Sequence, residues 1–135
     1  MLKKFNRVLL VDDDDDANHF QEKVFRKYNF AENIDKVLNG VEALDYLNKC
    51  IAGEHDLPEV IFLDLNMPRM DGWAFLEKYN QFSESVKSKI MLIILTSSVN
   101  PDDEQRAKSN PEVKGYKNKF LNKDQLSEII KLMPF

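Results

Sequence analysis

The sequence predicts an α/β fold in which helices cover both faces of a five-stranded parallel sheet. Three observations predict it: short apolar runs without polar alternation, amphipathic helix patterns between them, and a regular alternation of the two along the chain. Unbroken runs of Val, Ile and Leu are typical of strands buried on both faces, as in parallel sheets. A length of 135 residues, 43% of them hydrophobic, suits one domain with a substantial core.

The strands are predicted from the apolar runs. Strong runs occupy residues 8–11, 60–63 and 90–95, and weaker strands are predicted at residues 34–38 and 113–117. Parallel neighbours need crossover connections, which are right-handed and usually helical. The longest apolar run has six residues and is too short to cross a bilayer, so we expect no contact with a membrane.

Apolar residues recur at helical spacing between these strands. The sets are Ala17, Phe20, Val24 and Tyr28; Val41, Leu44, Leu47 and Ile51; Trp73, Phe75, Leu76 and Tyr79; and Leu126, Ile129, Ile130 and Met133. A further helix is predicted over residues 101–110, because Asn100 suits an N-cap, acidic residues follow it, and Pro111 ends the pattern. Its only apolar side chain is Ala107, so we expect this helix to be among the more mobile elements.

The net charge of −4 has a local origin in five consecutive aspartates at residues 12–16. Without this run, 18 acidic residues face 19 basic ones, so the rest of the chain is nearly neutral. The absence of a basic stripe argues against direct binding of nucleic acid. Cys50 is the single cysteine and cannot form an intrachain disulfide, which fits a reducing compartment and predicts a cytoplasmic location.

Polar residues follow the predicted strands at the points where the strands end. Asp12 and Asp13 follow the first strand, Asp64 the third, Thr96 the fourth and Lys119 the last. Ligands of open α/β sheets bind beyond the carboxyl ends of the strands, so we expect these side chains in one crevice. Clustered carboxylates repel one another unless a cation neutralises them, and ligands that are all oxygen suit Mg²⁺. A carboxylate beside Mg²⁺ can form an aspartyl phosphate, with a lysine and a hydroxyl neutralising the phosphoryl oxygens.

Four stretches carry a resemblance to a known family: VLLVDD at residues 8–13, FLDLNMPRMDGW at 62–73, ILTSS at 94–98 and GYKNKF at 115–120. In order and spacing they resemble the receiver domain of two-component response regulators, over essentially the whole chain. The resemblance implies a flavodoxin-like fold with strand order 2-1-3-4-5. It also implies transfer of a phosphoryl group from a sensor histidine kinase or a histidine phosphotransfer protein to Asp64.

The same resemblance implies a metal site. It implies Mg²⁺ bound by Asp13, Asp64 and the backbone carbonyl of Asn66, with Asp12 assisting through water. The remaining aspartates, residues 14–16, fit the start of a helix, where the helix dipole favours acidic side chains.

Residues near the end of the chain match the family's switch. Thr96 and Lys119 match its phosphate-sensing pair, and Tyr116 matches the aromatic residue whose rotamer reports the switch. Tyr116 is equally compatible with a half-buried residue at the sheet edge. The family usually follows its lysine with proline in a cis peptide bond, whereas this chain has Phe120. A cis bond before another residue costs roughly 2.5 to 4 kcal/mol, so we predict a trans Lys119–Phe120 bond in a rearranged loop that still brings Lys119 to the crevice.

The leading hypothesis is one stand-alone receiver domain over residues 1–135 without an output domain, a monomer or weak homodimer that acts as a phosphoacceptor rather than as an enzyme. Phosphorylation of Asp64 would draw Thr96 inward and shift the helix at residues 101–110, altering the surface offered to an unknown downstream protein. A rival is a phosphatase with an aspartyl-phosphate intermediate, but Asn66 stands where its general acid would be. A flavin-binding module is disfavoured because the anionic loop after the first strand would repel the FMN phosphate.

Overall fold

A computed structural model of the protein describes residues 5–132. The strands are β1 (Phe5–Val11), β2 (Ala31–Val37), β3 (Val60–Leu63), β4 (Met91–Thr96) and β5 (Val113–Asn118). They form one parallel sheet in the order β2-β1-β3-β4-β5. The predicted fold class and strand order are confirmed.

Six helices lie between and after the strands in the described part of the chain. They are α1 (Asp15–Lys27), α2 (Gly40–Ile51), α3 (Gly72–Tyr79), α4 (Glu84–Lys87), α5 (Pro101–Lys108) and α6 (Lys123–Lys131). The sequence pattern does not predict α4, because a single helical turn is too short to establish a period. Met133, which belongs to the last predicted apolar stripe, lies outside the described residues. Over residues 5–132, no helix has both the length and the apolar character needed to cross a membrane.

The sheet separates two apolar cores. On one face, α1 and α6 contribute Phe25 and Leu126 to the first core. On the other face, α2 and α3 contribute Leu47 and Phe75 to the second, and α5 adds Ala107. With helices on both faces, every residue of β3 and β4 is buried, which explains why their sequences are apolar without alternation.

Two residues predicted on buried helix faces are exposed instead. Phe20 is 52% exposed and its ring packs against that of Phe120, with centroids 4.8 Å apart. Ile51, the last residue of α2, is 50% exposed. In α1 the buried aromatic position belongs to Phe25, whose ring lies 5.2 Å from that of Phe62 in β3. The buried residues of α1 are Ala17, Asn18, Gln21 and Phe25, so two polar side chains belong to its buried face, which the apolar pattern does not reveal.

The predicted weak anchoring of α5 agrees with its contacts. Ala107 is its only buried residue. Asn100 caps the helix by accepting a hydrogen bond from the backbone N–H of Asp102 at 3.0 Å. The guanidinium of Arg106 lies 4.3 Å from the ring centroid of Trp73 in α3. Thus α5 is held largely by polar contacts at its start and by one cation–π contact.

Candidate functional site

The carboxyl ends of four strands meet at one edge of the sheet. The register aligns one residue from each in a row: Val11, Leu63, Ile94 and Tyr116. Residues that follow this row lie side by side, in the position where open α/β sheets bind ligands. The predicted site residues beyond the row are Asp12, Asp13, Asp64, Thr96 and Lys119.

Three carboxylates form a cluster at this edge. Asp12, Asp13 and Asp64 offer oxygens that all lie within 4.8 Å of one another. Asp12 and Asp64 are buried, whereas Asp13 is exposed. The backbone N–H of Asp64 donates to the carbonyl of Val11 at 2.9 Å, which fixes the end of β3 against β1. Burial and the Asp12 carboxylate raise the pKa of Asp64 to about 6, while the Lys119 ammonium opposes this rise.

Lys119 brings a positive charge into the crevice. Its Nζ lies 2.5 Å from Oδ2 of Asp12 and 3.7 Å from Oδ2 of Asp64. Burial by itself lowers the pKa of Lys119, but the contacts with Asp12 and Asp64 outweigh burial and leave this pKa above its ordinary value. The ammonium therefore stays protonated at neutral pH and offsets part of the negative charge of the cluster.

The Lys119–Phe120 peptide bond is cis, so the predicted trans bond is wrong. The expectation that Lys119 reaches the crevice is confirmed. Hydrogen bonds hold the chain on both sides of the bond: Lys119 N–H donates to the Thr96 carbonyl at 3.0 Å, and Leu121 N–H donates to Oε1 of Gln21 at 3.0 Å. Gln21 also donates to the Leu121 carbonyl at 3.4 Å. The prediction weighed only the local preference of the peptide bond, whereas β4 and α1 determine the path of this loop.

Two further predicted residues lie at the neighbouring strand ends. Thr96 is fully buried, and its Oγ1 accepts the backbone N–H of Ser98 at 3.1 Å. The hydroxyl hydrogen of Thr96 remains available for donation. The hydroxyl oxygen of Tyr116 is buried and has no hydrogen-bond partner among residues 5–132, and burial raises the pKa of Tyr116. A buried hydroxyl fits both an edge residue and a switch residue, so this role stays a prediction.

The remaining aspartates and Asn66 border the cluster. Asp14 is the N-cap of α1 and accepts the N–H of Ala17 at 3.1 Å, while Asp15 and Asp16 form its first turn. The predicted helix start is therefore confirmed. Asn66 lies two residues after Asp64 with an exposed side chain, and the metal-binding role of its backbone carbonyl stays a prediction.

Three supporting residues were not predicted from the sequence. Asn18 is buried and donates its side-chain amide to the carbonyl of Asp12 at 2.9 Å. Gln21 holds the loop after Lys119, as described above. Gly72 lies so close to the cluster that an added Cβ would be 2.6 Å from the carbonyl oxygen of Asp64. Gly72 falls within the distinctive segment at residues 62–73, but its physical role becomes visible only in the folded chain.

Known proteins are similar to this chain in sequence and in fold. The family model described as the response regulator receiver domain matches residues 8–131. The probable methanogenesis regulatory protein FilR2 of Methanothrix harundinacea is 32% identical over 123 residues, which cover 91% of this chain and 77% of that protein. A crystal structure of a two-component response regulator from Cytophaga hutchinsonii has a TM-score of 0.89 at 30% identity and covers 98% of this chain and 100% of its own. The Mn²⁺-bound form of response regulator Rcp1, a protein of Synechocystis sp., has a TM-score of 0.71 at 26% identity, with coverage of 93% and 89%.

Proposed function

The chain belongs to the response regulator receiver domain family, and from this premise we propose that Asp64 accepts a phosphoryl group from a phosphohistidine. Receiver domains are signalling domains that histidine kinases phosphorylate, so the donor is a sensor histidine kinase or a histidine phosphotransfer protein. One observation carries the proposal: the buried Asp64 carboxylate lies beside two further aspartates and the Lys119 ammonium at the ligand-binding edge of the sheet.

The two oxygens of Asp64 have different surroundings. Oδ1 accepts the backbone N–H of Leu65 at 2.9 Å, whereas Oδ2 faces the ammonium of Lys119. In the proposed step, Oδ2 attacks phosphorus, the P–N bond to the donor imidazole breaks, and the imidazole leaves with the bonding electron pair. The hydrogen bond to Oδ1 holds the carboxylate in one orientation, which favours attack by the other oxygen.

Two protein groups are placed to neutralise the transferring phosphoryl oxygens. The Lys119 ammonium is close enough to Asp64 to contact a phosphoryl group attached there. Thr96 follows the row of aligned strand residues, and its hydroxyl hydrogen can donate to a phosphoryl oxygen while its lone pair still accepts Ser98 N–H. Movement of Thr96 toward that oxygen would be passed to α5, and Tyr116 is the proposed reporter of this change in β5.

The donor set fits Mg²⁺. All the converging ligands are oxygen, and within the described residues Lys119 is the one ammonium in ion-pair contact with the cluster, through Asp12 and Asp64. We propose that Asp12, Asp13, Asp64 and the backbone carbonyl of Asn66 hold the ion. When bound, the ion supplies positive charge that stabilises the phosphoryl oxygens. The Mn²⁺-bound structure of Rcp1 supports a divalent cation in a related protein.

The altered surface is proposed to bind a downstream protein. The start of α5 is connected to Thr96 through the hydrogen bonds of Ser98, and α5 buries only one residue. A small change at the site can therefore shift α5 without disrupting either core.

Intact-protein mass spectrometry after incubation with a small acyl phosphate tests the proposal. Wild type is expected to gain one phosphoryl group when Mg²⁺ is present, and Asp64→Asn is expected to gain none. Asp45→Asn is the matched control, because Asp45 is an exposed aspartate within α2 and is not a member of the cluster. Phosphorylation of Asp64→Asn at the wild-type rate, or the lack of any gain in wild type, would refute the proposal.

A further inference from the structure

The side chain of Asn118 ties the loop after β4 to the last strand. Its Nδ2 donates to the Thr96 carbonyl at 3.3 Å and to the Ser98 carbonyl at 3.0 Å. Because both partners are carbonyl oxygens, only the NH₂ group of the amide can make these bonds. Thr96 is already paired with Asn118 in the sheet, whereas Ser98 belongs to the loop. One side chain thus spans the point where β4 ends and the loop begins.

Ser98 extends this connection in two directions. Its backbone N–H donates to Oγ1 of Thr96 at 3.1 Å, and its own hydroxyl donates to Oδ2 of Asp103 at 2.6 Å. The same hydroxyl accepts the backbone N–H of Asn100 at 3.2 Å. A continuous series of hydrogen bonds therefore links Asn118, through Ser98, both to the Thr96 hydroxyl and to the first turn of α5.

Apolar burial contributes little to holding this loop. Ser97 is exposed, and Val99 is 92% exposed. Thr96 is buried, but its backbone carbonyl is the last in β4 and points to the Asn118 amide and the Lys119 N–H. Because Asn118 is itself exposed, changing its side chain removes hydrogen bonds without opening a cavity in either core.

We propose that Asn118 is a positioning residue that holds Ser98 in place and thereby orients the Thr96 hydroxyl toward a phosphoryl group on Asp64. The inference rests on the proposed phosphorylation of Asp64. Asn118 acts through Ser98 and Thr96 and does not touch the reacting atoms. It also joins the site to α5, so both phosphoryl transfer to Asp64 and the binding surface at α5 depend on this side chain.

Two substitutions test the amide, and two matched ones control for the chemical change. Asn118→Leu and Asn118→Asp have nearly the shape of asparagine and lack the NH₂ donor. Asn33→Leu and Asn33→Asp are the controls, because exposed Asn33 in β2 donates its amide to the Asn6 carbonyl at 3.0 Å, away from the site. Exchange of the Ser98 amide hydrogen in the unphosphorylated protein is expected to speed up about tenfold in both Asn118 variants. Equal exchange in the Asn118 and Asn33 variants would overturn the inference.

The second measurement is phosphorylation by a small acyl phosphate as a function of Mg²⁺ concentration. In Asn118→Leu the maximal rate is expected to fall about three- to tenfold, whereas the Mg²⁺ concentration for half-maximal rate stays unchanged. The second result is expected because Asp12, Asp13 and Asp64 follow other strands. A shift in both quantities would indicate a general disturbance of the site and would count against the inference. An effect confined to Asn118→Asp would count against it as well. If wild type gains no phosphoryl group, the proposed function is refuted. The exchange measurement does not require phosphorylation and still tests whether the Asn118 amide holds Ser98.

Discussion

Replacing Gly72 with alanine is expected to destabilise the protein and to disturb the phosphoacceptor site together. An added Cβ would lie 2.6 Å from the carbonyl oxygen of Asp64 and 2.9 Å from Cα of Leu65. Both atoms belong to the backbone, so rotation of a side chain cannot relieve the contact. Gly72 N–H also donates to the Leu65 carbonyl at 2.9 Å, so moving α3 away would stretch this hydrogen bond.

The expected magnitude follows from two opposing effects. Overpacking of this kind costs about 1–3 kcal/mol, and alanine regains at most about 1 kcal/mol over glycine through helix propensity. Gly72 is the first residue of α3, where that gain is smaller than in a helix interior. A net loss of about 1–2 kcal/mol corresponds to a fall in Tm of roughly 3–10 °C for a domain of this size.

Urea unfolding and the rate of phosphoryl gain together measure this effect. Gly115→Ala is the matched control, because its Cβ would lie 3.5 Å from the Ile93 side chain, an ordinary van der Waals distance. We expect the control to stay within about 0.5 kcal/mol of wild type, with an unchanged m-value in both variants. If Gly72→Ala unfolds at the same urea concentration as Gly115→Ala and accepts the phosphoryl group at the wild-type rate, the close approach of α3 to Asp64 has been misjudged.

Three further predictions concern residues outside the cluster. Cys50 should resist alkylation at pH 8 until urea unfolds the protein, because burial raises the pKa of its thiol to about 11; equal labelling of native and unfolded protein would contradict this. Glu22→Gln should lower the free energy of unfolding by about 0.5–1 kcal/mol at pH 7, because the Lys36 ammonium lowers the pKa of Glu22 in the folded state. This stabilisation is present above the unfolded pKa and is lost as pH falls through the lower folded pKa. The difference in urea midpoint between variant and wild type should therefore shrink as pH falls below the unfolded pKa of about 4.3, and an equal difference at pH 3 and pH 7 would refute it. Arg106→Ala should move the fluorescence of Trp73, the only tryptophan, to longer wavelength as water replaces the guanidinium over the ring; an unchanged spectrum would count against that contact.

The sequence by itself determined the sheet and the members of the cluster. Residues 60–63 and 91–95 are apolar without alternation because helices cover both faces of the sheet, so burial is visible in local composition. Asp12, Asp64 and Lys119 could be grouped without knowing any contact, since parallel strands bring their carboxyl ends to one edge. Both inferences need only the order of elements along the chain.

The tertiary structure alone decided which face of α1 is buried and how the loop after Lys119 runs. The buried face of α1 includes polar Asn18 and Gln21 beside Phe25, whereas Phe20 is 52% exposed. The cis bond after Lys119 lies in a loop held by Gln21, which is separated from Leu121 by 100 positions. These outcomes depend on hydrogen bonds and packing between residues remote in the chain, and no local pattern records such contacts because the partners meet only when the sheet and helices assemble.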